Sequence, residues 1–105
     1  MTTATTTEYV TIDGLKLSVK IAGKGRPFLF LHGLCGDALQ PLELFPDDTG
    51  WQCHALESRG HGGSNIGDMK ELSIRRFTED ATAYLESLDR GPAVIGGVSM
   101  GAAIA

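Results

Sequence analysis

A serine hydroxyl is a poor nucleophile until a base takes its proton and fixed donors await the charge that forms on an attacked carbonyl oxygen. Residues 93–98 of this chain form an apolar run leading into Gly97-x-Ser99-x-Gly101, followed by small residues of good helix propensity. That spacing is the pattern of a sharp strand-to-helix turn, the nucleophile elbow, which presents a serine at its tip. The serine in such a turn sits in strained backbone geometry, and Gly97 and Gly101 are small enough to let the chain close around it. The N–H of the following residue, here Met100, faces the oxyanion, and a second donor comes from the loop after a neighbouring strand. Phe28-Leu29-Phe30-Leu31-His32-Gly33-Leu34 supplies such a strand and loop. In it, Gly33 lets the backbone turn into the site and the Leu34 N–H becomes the second donor. The bland reading of each piece is a glycine-rich turn; the buried strand before Ser99 and the helix after it favour the chemical one.

A general base must come within hydrogen-bond reach of the hydroxyl. The chain has three histidines, His32, His54 and His61. His54 falls inside a strand, and His32 and His61 fall in glycine-rich loops, so none is a good candidate. Residues 100–105 contain no acid or histidine. Glu57 follows a strand end near the site but reads as a solvated loop carboxylate. Glu79, Asp80, Glu86 and Asp89 read as decoration of helix faces.

The elements that must hold these groups follow from hydrophobic periodicity. Residues 8–13 and 15–21 alternate in polarity around Asp13-Gly14, which predicts a tight antiparallel hairpin. Residues 28–31 are apolar on both faces, as in the middle of a covered sheet. A short helix is expected over 38–45, stopped by Pro46, and a strand over 51–56. Residues 57–64 then read as a loop, Arg59-Gly60-His61-Gly62-Gly63 being glycine-rich with solvated side chains. From Ser73, a good N-cap, Ile74, Phe77, Ala81, Tyr84, Leu85 and Leu88 recur at helical steps, with Leu72 and Phe77 placed as a hydrophobic staple and Gly91-Pro92 as the stop. A strand over 93–98 and a helix from Met100 complete the order. This predicts an α/β class fold: a mostly parallel sheet with an antiparallel N-terminal hairpin and helices on both faces.

Composition narrows the function classes. The 105 residues are 42% hydrophobic and 21% charged, an ordinary globular balance. A net charge of -4 gives no basic footprint, so no nucleic acid partner is expected. No apolar run nears the roughly 20 residues of a membrane span, so no membrane partner is expected either. Residues 1–7 lack the features of a secretory leader and read as a disordered lead, which points to a cytoplasmic protein. Cys35 and Cys53 lack metal-ligand spacing and read as reduced, packed thiols; no metal or cofactor is expected. The glycines of 59–63 do not fit a dinucleotide fingerprint, which weakens a nucleotide-binding reading.

The strand ending in His32-Gly33, the Arg59-Gly60-His61-Gly62-x-Ser64 loop and the Gly97-x-Ser99-x-Gly101 turn, in this order, resemble the N-terminal half of the α/β-hydrolase fold family. The resemblance implies a serine hydrolase acting on a small-molecule carbonyl substrate, such as an ester, lactone or thioester. It implies Ser99 as nucleophile, Leu34 and Met100 as backbone oxyanion donors, and supporting roles for His32, Gly33, Gly97 and Gly101. His32 and His61 resemble residues that shape loops near the site. A serine at 99 argues against the dehalogenase and epoxide hydrolase branches, which use an aspartate there. Residues 8–105 would then be the N-terminal part of a single domain, an incomplete fold without its triad acid, histidine and cap, and inactive as an isolated chain. Two other readings remain open: a non-catalytic binding protein on the same fold, and a module that self-associates through an open edge at residues 93–98.

Overall fold

A computed structural model describes residues 5–34, 36–37, 42, 50–89, 91 and 93–105. Asp13 and Gly14, at φ 49 and 78, take the paired left-handed conformations of a two-residue hairpin turn. They join β1 (Thr5–Ile12) to β2 (Leu15–Gly23) in antiparallel register. β1 starts earlier than the alternation suggested: Thr5 pairs with Ala22, so residues 5–7, expected in a disordered lead, belong to the sheet.

β3 (Arg26–Leu31) and β4 (Trp51–Leu56) pair in parallel, β4 also pairs antiparallel with β2, and β5 (Val94–Gly97) runs parallel to β3. The resulting five-stranded sheet is mixed and ordered β1-β2-β4-β3-β5. β5 therefore stands at one edge of the described sheet, with Val94 46% and Ile95 41% exposed. The helix expected over 38–45 lies outside the described residues except for Leu42, which is helical and buried.

Alternation along β3 and β4 divides the core between the two sheet faces. On one face Leu29, Leu31 and Leu56 pack with Leu17, Val19 and Ile12. Helix α1 (Ile74–Leu88) contributes Phe77, Ala81 and Tyr84 to that cluster, and the short α2 (Met100–Ile104) adds Ile104. On the other face Cys53, Ala55 and Ala22 pack with Leu42, Phe28 and Phe30. Each fully buried leucine contributes about 1.5–3 kcal/mol, so these clusters outweigh any single surface contact. Cys53 is a free, buried thiol, and burial pushes its pKa up to about 11; Cys35 lies outside the described residues.

α1 begins where the sequence suggested: Ser73 is extended and its Oγ accepts the Arg76 N–H at 3.1 Å. Its end differs. Asp89 at φ 48 takes the left-handed capping position, ahead of Gly91, and Pro92 is outside the described residues. Leu72 lies over Gly60, 3.6 Å from where a Cβ there would sit.

Candidate active site at the strand ends

β3, β4 and β5 run in one direction, so the loops leaving Leu31, Leu56 and Gly97 gather at one end of the sheet, the side where open α/β sheets bind ligands. Ser99 occupies the turn between β5 and α2 at φ 55 and ψ -116, outside the conformations a non-glycine residue ordinarily adopts. Such a residue stores about 1–3 kcal/mol unless its surroundings hold it. Here the Val98 N–H donates to the Leu31 carbonyl at 3.1 Å before the turn, and the Gly101 and Ala102 N–H groups bond Val98 and Ser99 carbonyls after it.

Close backbone approach explains both flanking glycines. A Cβ on Gly97 would fall 2.2 Å from the Gly101 carbonyl carbon, and one on Gly101 would fall 1.9 Å from the Leu31 oxygen. Ser99 itself is exposed, and its hydroxyl makes no capping bond to the helix it precedes, in contrast to Ser73.

The loop after β3 runs directly against this turn. A Cβ on Gly33 would stand 3.5 Å from the Ser99 Cβ and 3.4 Å from the Val98 oxygen, which is ordinary contact. Gly33 is not among the glycines at positive φ, and its bare Cα faces the Ser99 Cβ. Its carbonyl accepts the Gly36 N–H at 3.0 Å, leaving Leu34 in the turn with its side chain 70% exposed. Neither the Leu34 nor the Met100 N–H donates to another described residue.

The histidines are committed elsewhere. The Ser58 N–H donates to His32 Nε2 at 3.0 Å, so that nitrogen holds a lone pair and the proton sits on Nδ1, which donates to the Gly33 carbonyl at 2.7 Å. Burial lowers the His32 pKa from its ordinary value, opposed by the Gly33 carbonyl and reinforced by the neighbouring His61. His54 lies in the core with Nδ1 2.7 Å from the Tyr84 hydroxyl and Nε2 2.8 Å from Gln52 Oε1. His61 Nδ1 lies 3.2 Å from the Arg59 carbonyl. No hydrogen bond joins Ser99 to any of the three.

Polar groups that the sequence placed in solvent turn out to be buried. Glu57 is 1% exposed, and its Oε1 accepts from Lys20 Nζ and from the Gly63 N–H, each at 3.1 Å. A Cβ on Gly62 would clash with this carboxylate, which is why the loop carries glycine there. Arg59 and Asp80, 4% and 1% exposed, form a two-pronged pair at 2.8 and 2.9 Å that ties the loop after β4 to α1. Asp80 falls within the Phe77, Ala81 and Tyr84 stripe, the signal that could have placed it inside. Among the described residues no group of three or more His, Cys, Asp or Glu could hold a metal ion, and no helix is long and apolar enough to cross a membrane.

A mixed sheet with parallel strands feeding a strained serine turn defines the class: an open α/β fold with a candidate site at the strand ends. Residues 26–105 match the family model for the alpha/beta hydrolase fold, and the chain belongs to that family. It is 35% identical over 94 residues to a non-heme chloroperoxidase of Kitasatospora aureofaciens, covering 87% of this chain and 34% of the relative. It is 30% identical over 97 residues to the 2-(acetamidomethylene)succinate hydrolase of Mesorhizobium japonicum, covering 89% of this chain and 34% of that protein. The chain thus spans about a third of the length of the curated relatives it matches. Among solved structures, an alpha/beta hydrolase of Novosphingobium aromaticivorans superposes with TM-score 0.86 at 25% identity, covering 99% of this chain and 39% of the other.

Proposed function

We propose that this chain carries the nucleophile half of a serine hydrolase. The observation that supports it most is the exposed Ser99, held at φ 55 between two glycines that only backbone contact explains, with Gly33 beside it. In this reading Ser99 Oγ attacks the carbonyl carbon of an ester, lactone or thioester while a base takes its proton. The oxyanion accepts from the free N–H groups of Leu34 and Met100. Collapse of the tetrahedral intermediate expels the leaving group, which takes the proton, and water then hydrolyses the acyl-serine. No cofactor takes part in this scheme. The base is none of the described histidines, since His32 and His54 use both ring nitrogens and His61 has no bond toward Ser99. The scheme therefore takes its histidine from outside these residues, and it predicts that the isolated chain is inactive. A 30% identical relative named for hydrolysis lends support.

A fluorophosphonate probe tests this, applied to the chain, to Ser99→Ala and to any longer product of the same reading frame. Strong Ser99-dependent labelling of a longer product with little on the short chain is the expected result. Silence from both would overturn it in favour of a non-catalytic binding protein.

The exposure of Val94 and Ile95 on β5 supports a second proposal, self-association of this chain through that edge. Sedimentation over a concentration series checks it; a monomer throughout rejects it.

A further inference from the structure

Among the described residues, the His32 side chain joins the loop after β3 to the loop after β4, and that side chain can gain a proton. His32 is 3% exposed and bridges two loops: Nδ1–H to the Gly33 carbonyl within its own loop, and Nε2 as acceptor for the Ser58 N–H from the loop after β4. Together the two bonds require the neutral Nδ1–H tautomer: a proton on Nε2 removes the lone pair that Ser58 uses, while the Nδ1–H bond to Gly33 survives it. Because Gly33 lies against Ser99, a shift of this ring would be felt beside the serine.

We propose that neutral His32 is a positioning residue for the Ser99 site, and that proton uptake at its Nε2 releases the Ser58 N–H and loosens the Gly33–Leu34 loop. This inference rests on the serine-hydrolase reading. A solvent proton on Nε2 turns an acceptor into a donor facing another donor, so the Ser58 bond must break. The groups around the ring set how readily this happens. His61, with ring centroids 4.8 Å apart, disfavours a positive charge on His32, while Glu57 and Asp37 favour it. Arg59 is neutralised by Asp80 of α1. α2 brings no titratable side chain to this region. Burial and His61 both favour the neutral ring, so the loop stays positioned at neutral pH and is released only on acidification below the ordinary histidine value of 6.5.

Long-range proton–nitrogen NMR on the full 105-residue chain reads the tautomer, and a pH series reads its consequence. The expected result is an Nδ1–H ring at neutral pH. As His32 titrates, the amides of Gly33, Leu34, Ser58 and Ser99 should shift with the same midpoint, and Ser58 should lose about tenfold of its exchange protection, the worth of one such bond. His32→Gln, which keeps hydrogen-bonding atoms but cannot titrate here, should abolish the shared midpoint, and His61→Ala should raise it in the otherwise unchanged chain. An Nε2–H tautomer, or loop amides that ignore the His32 titration, would overturn the proposal. Probe labelling of Ser99 reports separately on the nucleophile, so failure of one reading leaves the other visible.

Discussion

Two loops leave the parallel strands that flank β3, at the same end of the sheet, and are built in opposite ways. The loop after β4 is anchored through buried polar groups: Glu57 to Lys20 and Gly63, Ser58 to His32, Arg59 to Asp80, and Ser64 to Ser18 and the Glu57 carbonyl. Among the described residues no side chain anchors the turn after β5. It holds a strained, exposed serine through close backbone approach, which Gly97 and Gly101 admit. Strain at a presented group persists when the surroundings over-determine it. The anchored loop, joined through His32 to the segment lining Ser99, is part of what does so. The difference separates a loop whose buried polar side chains are paired from a turn that presents an exposed serine hydroxyl with no capping bond.

The sharpest way to break this contrast is to cut the frame. Asp80→Ala leaves Arg59 buried and unpaired, and removing one partner of such a pair costs about 3–5 kcal/mol. Urea unfolding should show a loss of that size; a loss below about 1 kcal/mol would mean the β4 loop is no better anchored than an exposed ion pair. Next comes Gly101→Ala, whose methyl would meet the Leu31 carbonyl oxygen at 1.9 Å. Backbone cannot yield as a side chain does, so about 3 kcal/mol, the upper range for overpacking, is expected in the same assay. Gly33→Ala sharpens the comparison further, because its methyl fits at ordinary contact. Stability should stay within about 1 kcal/mol of the parent. In a product that labels, Ser99 should react roughly tenfold more slowly, through misplacement alone.

What could be read from residue order was what the backbone dictates locally. Asp13-Gly14 announced its hairpin because two successive positive φ values suit few residue pairs, and Phe28 to Leu31 announced a strand covered on both faces. The serine turn was legible for the same reason, since glycines at both flanks mark a close approach. Pairings between distant charges were not legible. Glu57, Arg59 and Asp80 each look like solvent residues, and only the fold brings Arg59 against Asp80 and Lys20 under Glu57. His32 looked like a loop-shaping residue, but its tautomer and its second bond, to Ser58, exist only once β3 and β4 lie side by side. Hydrophobic periodicity reports which face is buried; it says nothing about which charges have found partners there.

The smallest expected effect tests whether the frame extends to the helix that carries Asp80. Ser73 caps α1 by accepting the Arg76 N–H, and Arg76 in turn reaches back to Asp13 at the hairpin turn and lies 3.5 Å from Asp80 Oδ1. The hydrogen bond to Asp13 raises the Arg76 pKa, so the guanidinium stays charged wherever the protein is folded. Ser73→Ala removes one cap and should cost about 1 kcal/mol. Its signature is local: faster exchange of the amides in the first turn of α1, around Arg76 and Phe77, with Tyr84 and its bond to His54 unaffected. Loosening that reached Ser58 and Gly33 from so small a cut would show that the cap, the buried ion pairs and the serine's neighbourhood open as one unit. Loosening confined to the first turn would place the boundary of the frame between Ser73 and Asp80.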